Sequence, residues 1–396
     1  MYVKQLYDHN HVISYRFPYK SDIAARARVR RNAFAVEIIS LYLLLYLRIR
    51  NVDQRQTLRL NETPILCGKP SNSDLCPRES EARLMRAFEG GILHDITGHK
   101  KKVHCVAWNI SGRRLASGSV DQTTRVWDVE HGARSGKELE LKGHSDSVDQ
   151  VCWDPSNEDR LVSISGDKSL RVWDVRSGSK CTATVQTSGE NINLAWHPDG
   201  VTIAVGDRND VVSFVDARKH RVLSTKKFSF EVNEMCWSSS GNMLLMTTGT
   251  GAVEVHTWPG PHKLLSVKAH TAGCYAIDVD PTGQMLAVGG ADTLVSLWDA
   301  DDYTCLRTVS RFDKPVRVVR FSKGGELLAT GSEDHFIDVA DTSTGARVAK
   351  VSTGTVTNSL AWSPSEYMLA FVGDAQPSEN DRQARNAIRI WGMPVT

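Results

Sequence analysis

No two of the eight cysteines stand as a CxxC pair, so neither a zinc ribbon nor a thioredoxin-type redox motif is available, and no disulfide framework is legible. Cys105, Cys152 and Cys236 each sit shortly before a tryptophan, where a small buried thiol packs as an apolar residue. A reducing compartment is the expectation. GxxxxGK[ST] and HExxH are absent, and the 13 histidines are dispersed, so no phosphate-binding loop, helical zinc site or other metal or cofactor site is expected. Charge of one sign is lacking too: 48 Lys and Arg face 46 Asp and Glu, a net of +2, which argues against a phosphate-coating protein. The apolar run at residues 33–47 is 15 residues long, includes Glu37 and follows Arg26, Arg28, Arg30 and Arg31. A membrane span wants about 20 apolar residues, and no small-residue cleavage pattern follows. No membrane contact is expected.

What the chain has is repetition. GHKKKVHCVAWNISGRRLASGSVDQTTRVWD opens on Gly98-His99, alternates apolar and polar residues through two turns, and closes on Trp127-Asp128. The pattern returns from Gly143-His144 to Trp173-Asp174 and from His270 to Trp298-Asp299. Counting terminal markers at Trp127, Trp173, Val215, Trp258, Trp298, Ala340 and Trp391 gives spacings of 46, 42, 43, 40, 42 and 51 residues. Seven units of that period with two-residue alternation predict an all-β fold, a seven-bladed WD-repeat β-propeller of four-stranded blades. A helical solenoid shares the length but not the alternation.

Residues 1–85 read as a separate N-terminal extension, disordered or partly helical, with a linker at 61–80. The propeller is expected over 86–396. Because the repeats begin inside a blade, a strand near 91–97 must complete the seventh and remove the free edges.

Within blade one, His99, Ser117, Asp121 and Trp127 are spaced to form a hydrogen-bonded set, and His144, Ser163, Asp167 and Trp173 repeat it in blade two. A Ser, a His and an Asp in register look like a hydrolase. Their recurrence beside an indole fits structural polar satisfaction better, so no catalytic residue is assigned. Blade five keeps His270, Asp292 and Trp298 but has Val288 where the serine would stand. Blades three, four, six and seven are degenerate. Residues 374–386 of blade seven form a polar insert between its second and third strands, expected to project as a loop that is disordered or held by a partner.

Without an enzyme motif, function falls to surfaces. Lys101 and Lys102, Asp146 and Asp149, Asn191 and Asn193, Glu231 and Asn233, and Arg317 are placed at one rim or the adjoining channel mouth. Their mixed signs suit a protein partner more than a phosphate backbone. Lys100, Lys101 and Lys102 alone would bind RNA weakly and without specificity. No small-molecule substrate is expected.

The blade-specific phrases GHKKKVHCVAWNISGRRLASGSVDQTTRVWD, ELKGHSDSVDQVCWDP, SGENINLAWHPDG, FEVNEMCW, ADTLVSLWD and SEDHFIDVAD run in order from about residue 95 to 392. They resemble the THO complex subunit 3 family, the WD-repeat subunits of the transcription-export (TREX) assembly. The resemblance implies a non-enzymatic scaffold docked on larger helical THO subunits, coupling transcription and mRNA processing to nuclear mRNA export. It implies a nuclear location and only indirect or weak RNA contact. The first 85 residues depart from that family, in which a short leader precedes the repeats. The other reading is a WD-repeat adaptor or substrate receptor of a ubiquitin ligase or signalling complex, for which Trp173-Asp174-Val175-Arg176 offers a WDxR match.

Overall fold

Short tight turns between alternating apolar runs can only fold each repeat as an antiparallel meander. In blade one the strands are Val103–Trp108, Arg114–Ser119, Thr123–Glu130 and Leu139–Lys142. A two-residue strand, Ala133–Arg134, pairs with the end of the third. The computed structural model describes residues 6–8, 11–13, 91–130, 133–134, 138–374 and 386–392. By contact the chain divides into Met1–Leu75 and Cys76–Thr396. In the first unit, Leu6–Asp8 and His11–Ile13 pair as an antiparallel hairpin. The runs at 26–31 and 33–47 and the linker at 61–80 lie outside the described residues.

The second unit holds seven sheets of this design. Each innermost strand packs on the next, and the innermost strand of blade seven, Val356–Trp362, packs on that of blade one. The ring is closed as a seven-bladed β-propeller. Ile92–Ile96 supplies the outer strand of blade seven, pairing antiparallel with Ile388–Gly392 in the register Ile92↔Gly392 to Ile96↔Ile388.

The core lies between blades. Second strands are buried almost throughout, as in Leu327–Ser332, because neighbouring blades cover both faces. Val126, Leu141, Val148, Trp153 and Trp173 share one cluster between blades one and two, while Trp127, Met368, Ile388 and Ile390 share another between seven and one. Some approaches leave no room for a side chain. A Cβ on Gly118 would meet Val148 Cγ1 at 2.7 Å, and one on Gly289 would meet Val316 Cγ1 at 2.5 Å.

Tryptophans ending four of the innermost strands tie blades one, two, four and seven each to the one before. Trp108 Nε1 donates to Ala361 O at 3.1 Å, Trp153 to Ala107 O at 2.9 Å, Trp237 to Ala195 O at 3.1 Å and Trp362 to Arg320 O at 3.1 Å. Each such bond is worth about 1 kcal/mol net, and more when a buried partner would be orphaned.

One repeat marker moves. Leu244 pairs with His256 in blade four as Leu115 pairs with Trp127 in blade one, so His256, not Trp258, occupies the terminal-tryptophan position. Trp258 lies past the strand, stacked on Phe214 at 4.6 Å between centroids. In the blade-seven insert, Asp374 belongs to strand Met368–Asp374. Residues 375–385 lie outside the described residues.

Candidate docking face and the polar braces

In blade one the loop before the first strand brings His99 against the second and third strands. His99 Nδ1 meets Asp121 Oδ2 at 2.9 Å, His99 Nε2 meets Ser117 Oγ at 2.8 Å, and Trp127 Nε1 donates to Ser117 Oγ at 3.0 Å. One neutral tautomer satisfies the whole chain: the indole donates to the serine, the serine hydroxyl to Nε2, and Nδ1–H to the aspartate. Blade two repeats it with His144, Asp167, Ser163 and Trp173 at 2.9, 2.8 and 2.9 Å. Burial alone would raise the Asp121 pKa. His99, then Thr123 and the Lys100 N–H, override it and hold the carboxyl well below the usual range. Asp167 is lowered likewise, with Ser169 and His144 opposing burial.

Ser117 and Ser163 are 0% exposed, each with an indole N–H on its oxygen. Neither can reach a substrate. Blade five restores the missing serine from a different strand: His270 Nε2 meets Ser296 Oγ at 2.8 Å, Trp298 Nε1 donates to Ser296 at 2.7 Å, and His270 Nδ1 meets Asp292 at 2.8 Å. Sequence spacing missed Ser296 because it lies two residues before the tryptophan, on the third strand rather than the second.

Blade four inverts the pair. Counted from the paired strand starts Val103 and Val232, Phe228 holds the place of His99, and its ring meets His256 edge-on at 5.2 Å. Among the described residues the His256 ring nitrogens find no hydrogen-bond partner, and burial, then Lys226, lowers its pKa.

The rim candidates separate into two groups. Asn191 and Asn193 are not on the rim: they are 1% and 2% exposed. Asn191 Nδ2 donates to Ser165 O at 3.3 Å and Ser169 O at 3.1 Å in blade two, and Asn193 Nδ2 to Val232 O at 3.3 Å and Asn233 O at 3.2 Å in blade four. Asn233 continues the series with a 2.9 Å bond to Cys274 O of blade five. These asparagines tie blades three and four, which lack the histidine brace, to each other and to their braced neighbours two and five, which gives the phrases SGENIN and FEVNE a structural reason.

The other rim candidates are exposed or partly buried. Lys101, Asp146 and Glu231 are exposed. Lys102 Nζ reaches Asp374 at 2.6 Å. Arg317 donates to Glu333 Oε1 at 2.8 Å through Nε and covers Tyr275 at 4.5 Å. A cavity of 290 Å³ opens between Lys102, His104, Asp149, Glu234, Arg317 and Asn358. A second, of 490 Å³, is walled by Trp108, Trp153 and Trp362. Both touch Cys105, Gln150, Arg320 and Ser359.

Reactivity is suppressed here. Burial pushes the Cys105 thiol up to about 12 and the Cys152 thiol up to about 11, so neither forms a thiolate near neutrality. Burial also raises Glu234 and Asp278, against the pull of Arg320. Among the described residues no group of three or more His, Cys, Asp or Glu could hold a metal ion.

Asp149 stands apart. Burial pushes its pKa up to about 6, with Asp146 and Glu190 adding to the rise against Ser147 and Arg208. An acid whose folded pKa exceeds its unfolded one destabilises the fold as pH climbs from about 4 to about 6, and by a constant amount above that. Asp149→Asn therefore raises the melting temperature by about 2–4 °C at pH 7 and leaves it unchanged at pH 4. Equal shifts at both pH values in thermal melts would refute the titration.

A family model described as the THOC3 beta-propeller domain matches residues 99–372. The chain is 52% identical over 298 residues to the Arabidopsis thaliana protein named THO complex subunit 3, covering 75% of this chain and 94% of that one. It is 33% identical over 332 residues to the WD repeat-containing protein AAC3 of Dictyostelium discoideum, covering 78% and 68%. It is 25% identical over 310 residues to an Arabidopsis WD repeat-containing protein 26 homolog, of which it covers 50%. Repeat period, ring closure and this match lead to one conclusion: the chain belongs to the THOC3 β-propeller family.

Proposed function

We propose that this propeller is the WD-repeat subunit of a THO-type complex in the nucleus. It acts as a non-enzymatic scaffold docked on larger helical THO subunits and couples transcription and mRNA processing to mRNA export. The observation carrying the reading is the 52% identity to THO complex subunit 3 over 94% of that protein's length. Two features of the site support it. The braced serines are sealed from solvent, and Asp149 keeps a carboxylate at the channel mouth although burial disfavours its charge, a pattern expected where function outweighs stability.

The receptor reading is less well supported. Trp173 is 0% exposed, and Arg176 is engaged by Asp174 at 2.6 Å and Asp159 at 3.5 Å, so the WDxR match is held within its own blade.

Affinity purification of the tagged full chain from nuclear extract, read by mass spectrometry, tests the proposal. Large helical THO subunits are expected in near-equal amounts. Recovery of a cullin adaptor in their place would replace it.

A further inference from the structure

The outer strands of the blades differ sharply in charge. That of blade two, Cys181–Gln186, has no charged residue, and that of blade one, Leu139–Lys142, carries Glu140 ion-paired to Arg125 at 2.8 Å. In blade six, Arg347 is ion-paired to Asp338 and Lys350 lies over Phe336 at 4.1 Å. Blade three is different. Between Asp216 and Glu231 the chain has Arg218, Lys219, Arg221, Lys226 and Lys227 and no carboxylate. Arg218, Lys219, Arg221 and Lys227 are exposed, and none makes an ion pair among the described residues. The nearest acid, Asp216, is buried, and its Oδ1 accepts the backbone N–H groups of Arg218 and Lys219 at 2.9 and 2.8 Å.

This edge runs on into blade four. Lys226 Nζ donates to Pro261 O at the start of that blade's outer strand and lies over Phe228 at 5.2 Å. Exposed Lys268 follows on His262–Lys268, where Lys263 is ion-paired to Glu254 at 2.9 Å. Each of the two strands is seven residues long, about 20 Å at strand rise, so the cations form a band rather than a point.

We infer that the outer edge of blades three and four binds the phosphate backbone of a nucleic acid. Lysines on an exposed edge also discourage strand addition, but the outer strands of blades one and two are equally edges and lack this concentration. An acidic protein segment would want apolar anchors as well. Leu223 and Leu264 are 47% and 51% exposed, yet Leu93 and Leu306 on the outer strands of blades seven and five are 45% and 51% exposed. Exposed leucine is thus shared by outer strands, whereas a run of four exposed cations with no ion pair among the described residues is particular to blade three, with Lys268 of blade four beside it. Neither strand carries a Phe, Tyr or Trp, so bases have no broad stacking platform, and recognition is of phosphate, independent of sequence. This surface is distinct from the channel mouth, and the inference does not rest on the docking proposal.

The test is fluorescence anisotropy of the full chain with a labelled 20-nucleotide mixed-sequence RNA over a salt series, with a duplex of equal length and a polyglutamate peptide as companion probes. Replacing Arg218, Lys219, Arg221 and Lys227 together by Glu weakens RNA binding at least about tenfold at low salt and lowers the slope of log K against log salt by about 3. Lys323→Glu with Lys350→Glu, both exposed and in blade six, leaves affinity within about twofold. Thermal melts of the same samples establish folding, and a four-Gln variant carries the test if the four-Glu variant melts early. Undiminished RNA affinity in the four-site variant overturns the inference. So does polyglutamate binding as tight as RNA binding, which would assign the edge to acidic protein segments.

Discussion

A chain beginning at Gly98 melts at least about 10 °C below one beginning at Gly91, or is recovered only as aggregate. The difference is the strand Ile92–Ile96, which pairs at five positions with Ile388–Gly392. Its removal takes Ile96, 3% exposed, out of the cluster with Trp127, Ile388 and Ile390 and leaves the third strand of blade seven as a free edge. Loss of one buried isoleucine and several ladder bonds costs about 5 kcal/mol or more. The new edge invites pairing with another chain. Thermal melts and size-exclusion chromatography of the two chains read both effects, and superimposable melts would show that the strand contributes nothing to closure.

His99→Ala lowers stability by about 3 kcal/mol, because it leaves the buried Ser117 hydroxyl without its acceptor and Asp121 without the Nδ1–H donor. Trp127→Phe keeps most of the packing and loses a single donor, so it costs about 1–2 kcal/mol. The pH dependence has a definite sign. The folded Asp121 pKa is depressed below 3.8, so its stabilisation is present above about pH 4 and is lost as pH falls through the folded value. Denaturant unfolding of the parent chain should weaken below pH 4, and that of the His99→Ala variant should weaken less. If His99→Ala left stability intact at pH 7, the brace would have no structural role.

The propeller was legible because period and alternation are properties of the chain itself. Trp127, Trp173 and Trp298 stand at corresponding strand ends, and the braces of blades one and two repeat at similar spacing. Legibility failed where one contact is made from another place in the chain. Ser296 replaces a second-strand serine from the third strand, which no spacing rule anticipates. His256 was hidden by Trp258, two residues further on, because counting tryptophans cannot detect that a register has placed a histidine at the brace. Asn191 and Asn193 carry polar side chains at loop-adjacent positions and so read as rim. The irregular register between Asn191 and Asn193 sends their buried amides to opposite sides of the sheet, toward blades two and four. Asp149 was placed at the mouth by sequence, but its shifted ionisation depends on burial that only the assembled ring creates. The inter-blade bonds of Trp108, Trp153, Trp237 and Trp362 join residues 42 to 253 positions apart.

All of this depends on the ring being one cooperative body, shut by residues that precede its first repeat. Native-state hydrogen exchange of the full chain, followed by mass spectrometry of the peptide spanning residues 92–96, measures that directly. The ladder amides of this segment should open with nearly the same free energy as those of the buried strand Ile388–Gly392. Exchange at the rate of an unstructured peptide, with the seven inner strands still protected, would mean that the ring closes some other way.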